Sequence, residues 1–344
     1  VEVSVLIPTY GRAEKLARCL RGLADQTMDA TRFEVIVGFD GADEAGASLA
    51  ARVWRENAGR AELRVLECAR EGYTLVRNRM LSAGRGRIMV SLNDDVRPEP
   101  DFLNVHVREH ERRRASGAGP AIVVGHSPYA RREEETLLDR LVRRTSMVFF
   151  YDVMNRAACA PGYDPDRDWG FRHCFGLNFS VDAACVREVG GFFARPHLYG
   201  YDDIELGFRL AARFEMPVLY RPSALAEHEH FYQPHDLIER ERKLGMAAWA
   251  FTGANPAFGL ACFGRDLCSG AEVAYSREFV ARERDAAERV RADFLNHGHL
   301  PGNAVDGPHE QQMLELIAQQ FVLLKRWEWR SGLLFAAGLE APRA

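Results

Sequence analysis

Four short stretches of this chain concentrate side chains that can move protons or hold cations. The first is "SLNDDVRP" (91–98), where Asn93 precedes two adjacent carboxylates, Asp94 and Asp95. Neighbouring carboxylates repel each other. Hard oxygen ligands at a strand end suit Mg2+ or Mn2+, whose charge would cancel that repulsion. A solvated turn with one Asp capping the helix that begins near Pro98 accounts for the same residues. The second stretch is "GYDDIELGFRL" (200–210). Glu205 and Arg209 form an ordinary i,i+4 pair there, and either Asp202 or Asp203 can serve as the N-cap. Two adjacent acids exceed what capping needs. A carboxylate at a helix N-terminus tends to stay ionised, as a general base must be before it takes a proton. The same field lowers its basicity, so other surroundings have to restore it.

The third stretch, "AEHEHFYQPH" (226–235), offers His228 and His230 as metal ligands. With His235 it also admits a zinc-hydrolase reading, against which stands the lack of HExxH. The fourth, "EGYTLVRNRM" (71–80), places Arg77 and Arg79 around Asn78 on a helix pattern. Either a solvated helix face or a phosphate- or nucleoside-directed Arg77 fits. The run "HERRR" (110–114) reads as a solvated helix end.

These groups need a scaffold, and the first third of the chain describes one. Strand patterns at 3–8, 34–40, 63–68 and 87–92 alternate with helix patterns at 14–26, 45–57 and 74–83. Strands that are apolar on both faces, alternating with helices, predict an α/β fold with a mostly parallel central sheet flanked by helices. Ligands in such sheets lie beyond the carboxyl ends of the strands. "PTYGR" (8–12), "FDGADE" (39–44) and "NDD" should therefore crowd one edge. Neither GxGxxG nor GxxxxGK[ST] follows a strand, which argues against dinucleotide and P-loop sites. Further on, the patterns predict a strand at 121–127, a helix over 136–154 and a mobile, turn-rich loop at 160–170. A strand at 174–181, a helix at 201–214 and a short strand at 217–222 follow, then helices after about 235 with breaks near 253–259 and 298–308.

The 344 residues are 47% hydrophobic, enough for one large domain with an appendage. The net charge of −4 gives no basic excess, which argues against a nucleic-acid partner. Seven scattered cysteines without a CxxC pair predict free thiols in a reducing cytoplasm. No apolar run approaches a membrane span and no signal peptide is recognisable, so a cytoplasmic location is expected.

Taken together, the motifs resemble glycosyltransferase family 2, the inverting nucleotide-sugar transferases of the GT-A fold. The likeness runs over about residues 3–235 in collinear order. It rests on "VSVLIPTYGR", "EVIVGFDGADE", "EGYTLVRNRML", "SLNDDVRPEPDFL", "FGLNFSVDAACVREVGGFF", "YGYDDIELGFRL" and "ALAEHEH". It implies a catalytic domain over 1–235, with a nucleotide-sugar half (about 1–127) and an acceptor half (about 128–235), followed by a helical extension over 236–344. It also implies roles. Pro8, Thr9, Tyr10 and Arg12 would line the nucleotide pocket, and Asp40 would accept a hydrogen bond from the base, usually uracil. Arg77 would face the nucleotide or diphosphate, and Asp94 the ribose or sugar. Asp95 and His228, with His230 as fallback, would ligate Mn2+ or Mg2+. Asp203 would be the catalytic base and Asp202 the acid before it. Gly176, Leu177 and Asn178 would lie near the sugar or acceptor. Asn93 stands where the family's metal motif has its first Asp, so direct ligation there is doubtful and the site's hold on the ion weakens.

The activity so implied is transfer from a nucleotide sugar, expected to be a UDP-sugar, to a glycan, lipid-linked or small-molecule acceptor in bacterial glycan biosynthesis. A non-catalytic nucleotide-sugar binding protein and a sugar-nucleotide nucleotidyltransferase are the alternatives. The Asp202–Asp203 pair argues against the first, and the lack of a glycine-rich basic loop after the first strand argues against the second. The C-terminal stretch 310–340 predicts a long helix packed on the catalytic domain or on another subunit. Its alternative is peripheral contact with the inner face of a membrane through Trp327, Trp329 and Phe335.

Overall fold

The computed structural model describes residues 1–195 and 198–339. In chain order the elements are β1 (Val3–Thr9), α1 (Ala13–Ala24), β2 (Phe33–Asp40), α2 (Glu44–Glu56), β3 (Glu62–Cys68), α3 (Tyr73–Ala83), β4 (Ile88–Leu92) and β5 (Val96–Pro98). Next come α4 (Phe102–Ser116), β6 (Ile122–His126), α5 (Leu137–Arg144), α6 (Tyr151–Ala158), β7 (Asn178–Asp182), α7 (Ala183–Glu188), α8 (Asp202–Phe214) and β8 (Val218–His228). The chain ends in α9 (Pro234–Ala254), α10 (Pro256–Phe263), α11 (Gly270–Arg282), α12 (Arg284–His297) and α13 (Glu310–Ala336). Two compact units emerge: residues 1–130, 153–198 and 202–230 form the first, and 131–152, 199–201 and 231–344 the second. Segment 131–152, which the sequence reading assigns to the acceptor half, groups by its contacts with the helical unit.

The first unit is built on one eight-stranded sheet in the order β3-β2-β1-β4-β7-β6-β8-β5. β1 pairs in parallel with β2 and β4, β2 with β3, and β6 with β8. β7 runs antiparallel to both β4 and β6, and β5 antiparallel to β8. Val3, Val5 and Ile7 of β1 and Val35, Ile36 and Val37 of β2 are wholly buried, as strands covered on both faces must be.

Three segments depart from the sequence expectation. The helix expected over 136–154 is two short ones, because Thr145 leaves the helical region and turns its hydroxyl back onto the Leu141 carbonyl. Strand β8 continues past the expected 217–222 to His228, through a register shift against β6 at Gly125–His126. The loop expected to be mobile at 160–170 is tied down. Trp169 N–H donates to the Val218 carbonyl (2.9 Å), Val218 N–H to Asp168 (2.8 Å), and Arg221 to the Pro165 carbonyl (2.7 Å).

In the second unit α13 packs along α9, with α11 and α12 against it. The crossing is close: a Cβ on Gly245 would fall 1.8 Å from the Trp329 carbonyl oxygen, and one on Gly332 1.9 Å from that of Arg242. Only glycines permit that approach. Trp327 is 1% exposed and donates to the Val280 carbonyl, while Trp329 donates to the Tyr201 hydroxyl. Trp327 thus serves the packing of its own unit, and Trp329 is partly buried there. The expected helix reaches Ala336, and Glu340 lies outside the described residues. Among the described residues no helix is long and apolar enough to cross a membrane.

Candidate active site

Sheet topology decides which polar clusters meet. The carboxyl ends of β2, β1 and β4 are neighbours, which brings Asp40, the turn Thr9–Arg12 and the Asn93–Asp95 turn to one edge. Because β7 is antiparallel to β4, its first residue lies opposite the last of β4 (Leu92 against Asn178), so Gly176 and Leu177 arrive at the same edge. Strand β8 ends there too, with His228 opposite Val96.

The first acid pair sits in the turn after β4. Asp94 is fully buried and Asp95 nearly so. Thr9 Oγ1 donates to Asp94 Oδ2 (2.7 Å), and Arg12 bridges both acids. Its Nη2 lies 2.6 Å from Asp94 Oδ1 and its Nη1 2.9 Å from Asp95 Oδ2. Around Asp95 stand His228 Nε2 at 3.5 Å from Oδ1 and His230 Nδ1 at 3.0 Å from Oδ2, with Tyr129 stacked on the His228 ring. Burial pushes the Asp94 carboxyl up to about 6, against the pull of Arg12 and with the push of Asp95. Burial acts on Asp95 as well, but His228, His230 and Arg12 hold it well below the usual carboxylate range. Ligand atoms of Asp95, His228 and His230 lie within 4.8 Å of one another. One carboxylate with two imidazoles suits a divalent cation of intermediate softness such as Mn2+, and suits Mg2+ less well because that ion prefers oxygen alone.

The second acid pair opens α8, and its two members live differently. Asp202 is buried, accepts from the Tyr73 hydroxyl and pairs with Arg77 Nη1 at 2.9 Å. Burial and the Asp202 charge push the Tyr73 phenol well above its ordinary range, so it remains a donor. Arg77 is itself buried. Its Nη2 donates to Asn93 Oδ1 (3.0 Å), and its guanidinium lies over the Tyr73 and Phe192 rings. Asn78, next to it on α3, clamps Phe192 by accepting its N–H and donating to its carbonyl, both at 2.8 Å. Asp203 keeps a partly exposed face. It accepts backbone N–H bonds from Gly176 (2.6 Å) and Ile204 (2.8 Å). Desolvation, and then repulsion from Asp202, push its carboxyl up to about 7. A Cβ on Gly176 would press on this pair, meeting Asp203 Oδ2 at 2.9 Å and Arg77 Nη1 at 3.1 Å.

A third patch lies at the ends of β1 and β2. Pro8 is buried in β1 opposite Gly38. Tyr10 is 52% exposed, with the Arg70 guanidinium 4.5 Å above its ring. Asp40 Oδ1 accepts the N–H groups of Glu71 (2.8 Å) and Gly72 (3.0 Å), which fixes the carboxylate against the start of α3.

The structure therefore gathers Thr9, Arg12, Asp94, Asp95 and His228 in one cluster, and Arg77, Asn93, Gly176, Asp202 and Asp203 in another. Leu177 is buried and reaches the edge through its carbonyl, which accepts the Asn93 N–H (3.3 Å). Asn178 does not belong to the edge: it is fully buried, and its amide joins the Ala224 carbonyl (3.0 Å), Ser127 (3.2 Å) and His106 (3.1 Å). Sequence reasoning missed Tyr73, Arg70 and Tyr129 and ranked His230 second. Tyr73 was findable, one helical turn before Arg77. Arg70 and Tyr129 carry no local signal.

Comparison with known proteins bears on the family and the fold. The family model described as glycosyl transferase family 2 matches residues 4–171. A validoxylamine A glucosyltransferase of Streptomyces hygroscopicus subsp. jinggangensis (strain 5008) is 30% identical over 225 residues, covering 61% of this chain and 51% of that protein. The chain spans about half the length of the curated relatives it matches. Among solved structures, the Pyrobaculum calidifontis mannosyltransferase PcManGT in complex with GDP-Man and Mn2+ superposes with a TM-score of 0.56 at 18% identity, over 98% of this chain and 86% of that one. S. aureus TarS in complex with UDP-GlcNAc gives 0.51 at 13% identity, over 98% and 92%. At these identities the structural likeness speaks for the fold, which is GT-A. Motif order, the family model matched over residues 4–171 and the shared fold converge in support of a glycosyltransferase of family 2.

Proposed function

We propose that the chain transfers a sugar, with inversion, from a nucleoside diphosphate sugar to an acceptor hydroxyl. The observation that carries this reading is the second acid pair. Among the described residues no guanidinium pairs with Asp203, which has a partly exposed face and a carboxyl raised to about 7, while Asp202 beside it is neutralised by Arg77. A base near neutrality is well matched to taking a hydroxyl proton.

Asp203 takes the acceptor proton as the acceptor oxygen forms its bond to the anomeric carbon on the face opposite the leaving group. The bond from that carbon to the diphosphate breaks, its electron pair leaves with the diphosphate, and the configuration inverts. Thr9 orients Asp94 toward the donor, and Asp95 with His228 and His230 would hold a divalent cation. A bound Mn2+ or Mg2+ would stabilise charge growing on the leaving diphosphate. At the nucleoside end, Asp40 accepts a base N–H, and Tyr10 with Arg70 offers a stacking surface.

A UDP-sugar is the expected donor. The structural neighbours carry both UDP-GlcNAc and GDP-Man, so the base is the first point to test. A relative named for glucosyl transfer to validoxylamine A supports a polyhydroxylated small-molecule acceptor, beside the glycan and lipid-linked classes. The chemistry is assigned to residues 1–235, with the helices after residue 235 as an extension. A thermal-shift screen of UDP- and GDP-sugars with and without Mn2+ tests the reading, because a ligand that binds only the folded state raises its melting temperature. One sugar nucleotide should stabilise the protein in a Mn2+-dependent way. Indifference to every sugar nucleotide would remove the proposal.

A further inference from the structure

We propose that Arg12 is an exchangeable counter-cation: it neutralises the Asp94–Asp95 pair until a divalent cation takes that place, and then turns to the anionic diphosphate of the donor. The inference rests on the metal-site reading above and adds a competition to it. Arg12 reaches both acids, through Nη2 to Asp94 Oδ1 (2.6 Å), Nε to Asp94 Oδ2 (3.1 Å) and Nη1 to Asp95 Oδ2 (2.9 Å). Asp95 Oδ2 is also the oxygen that faces His230 Nδ1 at 3.0 Å. A metal ion bound between Asp95 Oδ2 and His230 would claim the oxygen that Arg12 already holds. With Arg12 seated, the two carboxylates carry one net negative charge. A divalent ion added beside it would crowd three positive charges onto two carboxylates, with Lys15 Nζ already 4.0 Å from Asp95 Oδ2.

Burial says which partner moves. The side chains of Asp94 and Asp95 are 0% and 2% exposed, whereas that of Arg12 is 39% exposed. Bare buried carboxylates are costly, while a guanidinium at the surface is hydrated wherever it turns. Arg12 also sits in the short turn between β1 and α1, after Gly11 at φ +62°, and its side chain caps nothing in the helix that follows. Arginine's planar fork suits a carboxylate pair and a diphosphate alike.

The signature is a pair of effects of opposite sign. Mn2+ is titrated into the full chain without nucleotide at about pH 8 and followed by the spin-resonance signal of free Mn2+; UDP and GDP are titrated calorimetrically in saturating Mn2+. Arg12→Gln should bind Mn2+ about tenfold more tightly than wild type and the nucleotides at least about threefold more weakly. Arg12→Lys keeps a charge but cannot bridge both acids, and should tighten Mn2+ about threefold. It carries the test should Arg12→Gln melt below the assay temperature. Unchanged or weaker Mn2+ binding in the Arg12 variants, with Asp95→Asn still abolishing it, would make Arg12 a fixed clamp and overturn the inference while leaving the metal site standing. Mn2+ binding indifferent to Asp95→Asn would overturn both.

Discussion

The molecule holds two adjacent-acid pairs at one sheet edge, each with a single arginine, and they are prepared for different work. At Asp94–Asp95 the arginine is partly exposed, bridges both carboxylates and shares the second with two histidines. At Asp202–Asp203 the arginine is buried, binds only the first acid and is locked from behind by Tyr73, Asn93 and Phe192. In the first pair the lowered carboxyl is Asp95, beside the imidazoles; in the second the raised one is Asp203, which faces backbone N–H groups. The same two letters of sequence thus give a cation site or a proton acceptor, according to which oxygen the nearest positive charge occupies.

That contrast can be broken in graded ways. Asp203→Asn should lower kcat by about a thousandfold while leaving the donor KM nearly unchanged, because it removes only the proton acceptor. A fall of less than tenfold in steady-state transfer would show that the base lies elsewhere. Arg77→Met should cost about 3–5 kcal/mol of stability in denaturant unfolding, since it strands the Asp202 charge in the interior. Adding Asp202→Leu should restore part of that loss, whereas a loss below about 1 kcal/mol would place Asp202 in contact with water. The sign of the pH effect follows from the raised carboxyl. Asp203 works when ionised, so kcat/KM should be flat above about 7 and fall about tenfold per unit below it, and a limb near 4 would mean an unperturbed acid. The smallest effect sharpens the boundary between the pairs. Asn93 gives its side-chain oxygen to Arg77, so Asn93→Asp should change Mn2+ affinity by less than about threefold. A larger gain would place residue 93 in the metal site.

Most strands and helices before residue 125 were legible, because buried parallel strands and amphipathic helices leave plain periodicities. The end of β8 was not: Pro222, Ser223 and Ala224 mimic a strand terminus, and only pairing with β6 and β5 carries the strand on to His228. Strand alternation turns the Asn178 side chain inward. Residues 178 and 180 share a face of β7, and both their side chains bond to His106 on α4. The acids themselves were legible as types. Their partners were not, since Arg12 stands 82 residues from Asp94 and Arg77 125 from Asp202, distances only topology closes.

The division of labour is tested most directly by one calorimetric series, titrating UDP and GDP in the presence of Mn2+ into wild type, Asp95→Asn and Asp203→Asn. The favoured nucleotide should bind Asp203→Asn within about threefold of wild type and Asp95→Asn about a hundredfold more weakly. Equal loss of binding in both variants would contradict the account, because the two acid pairs would then form a single site.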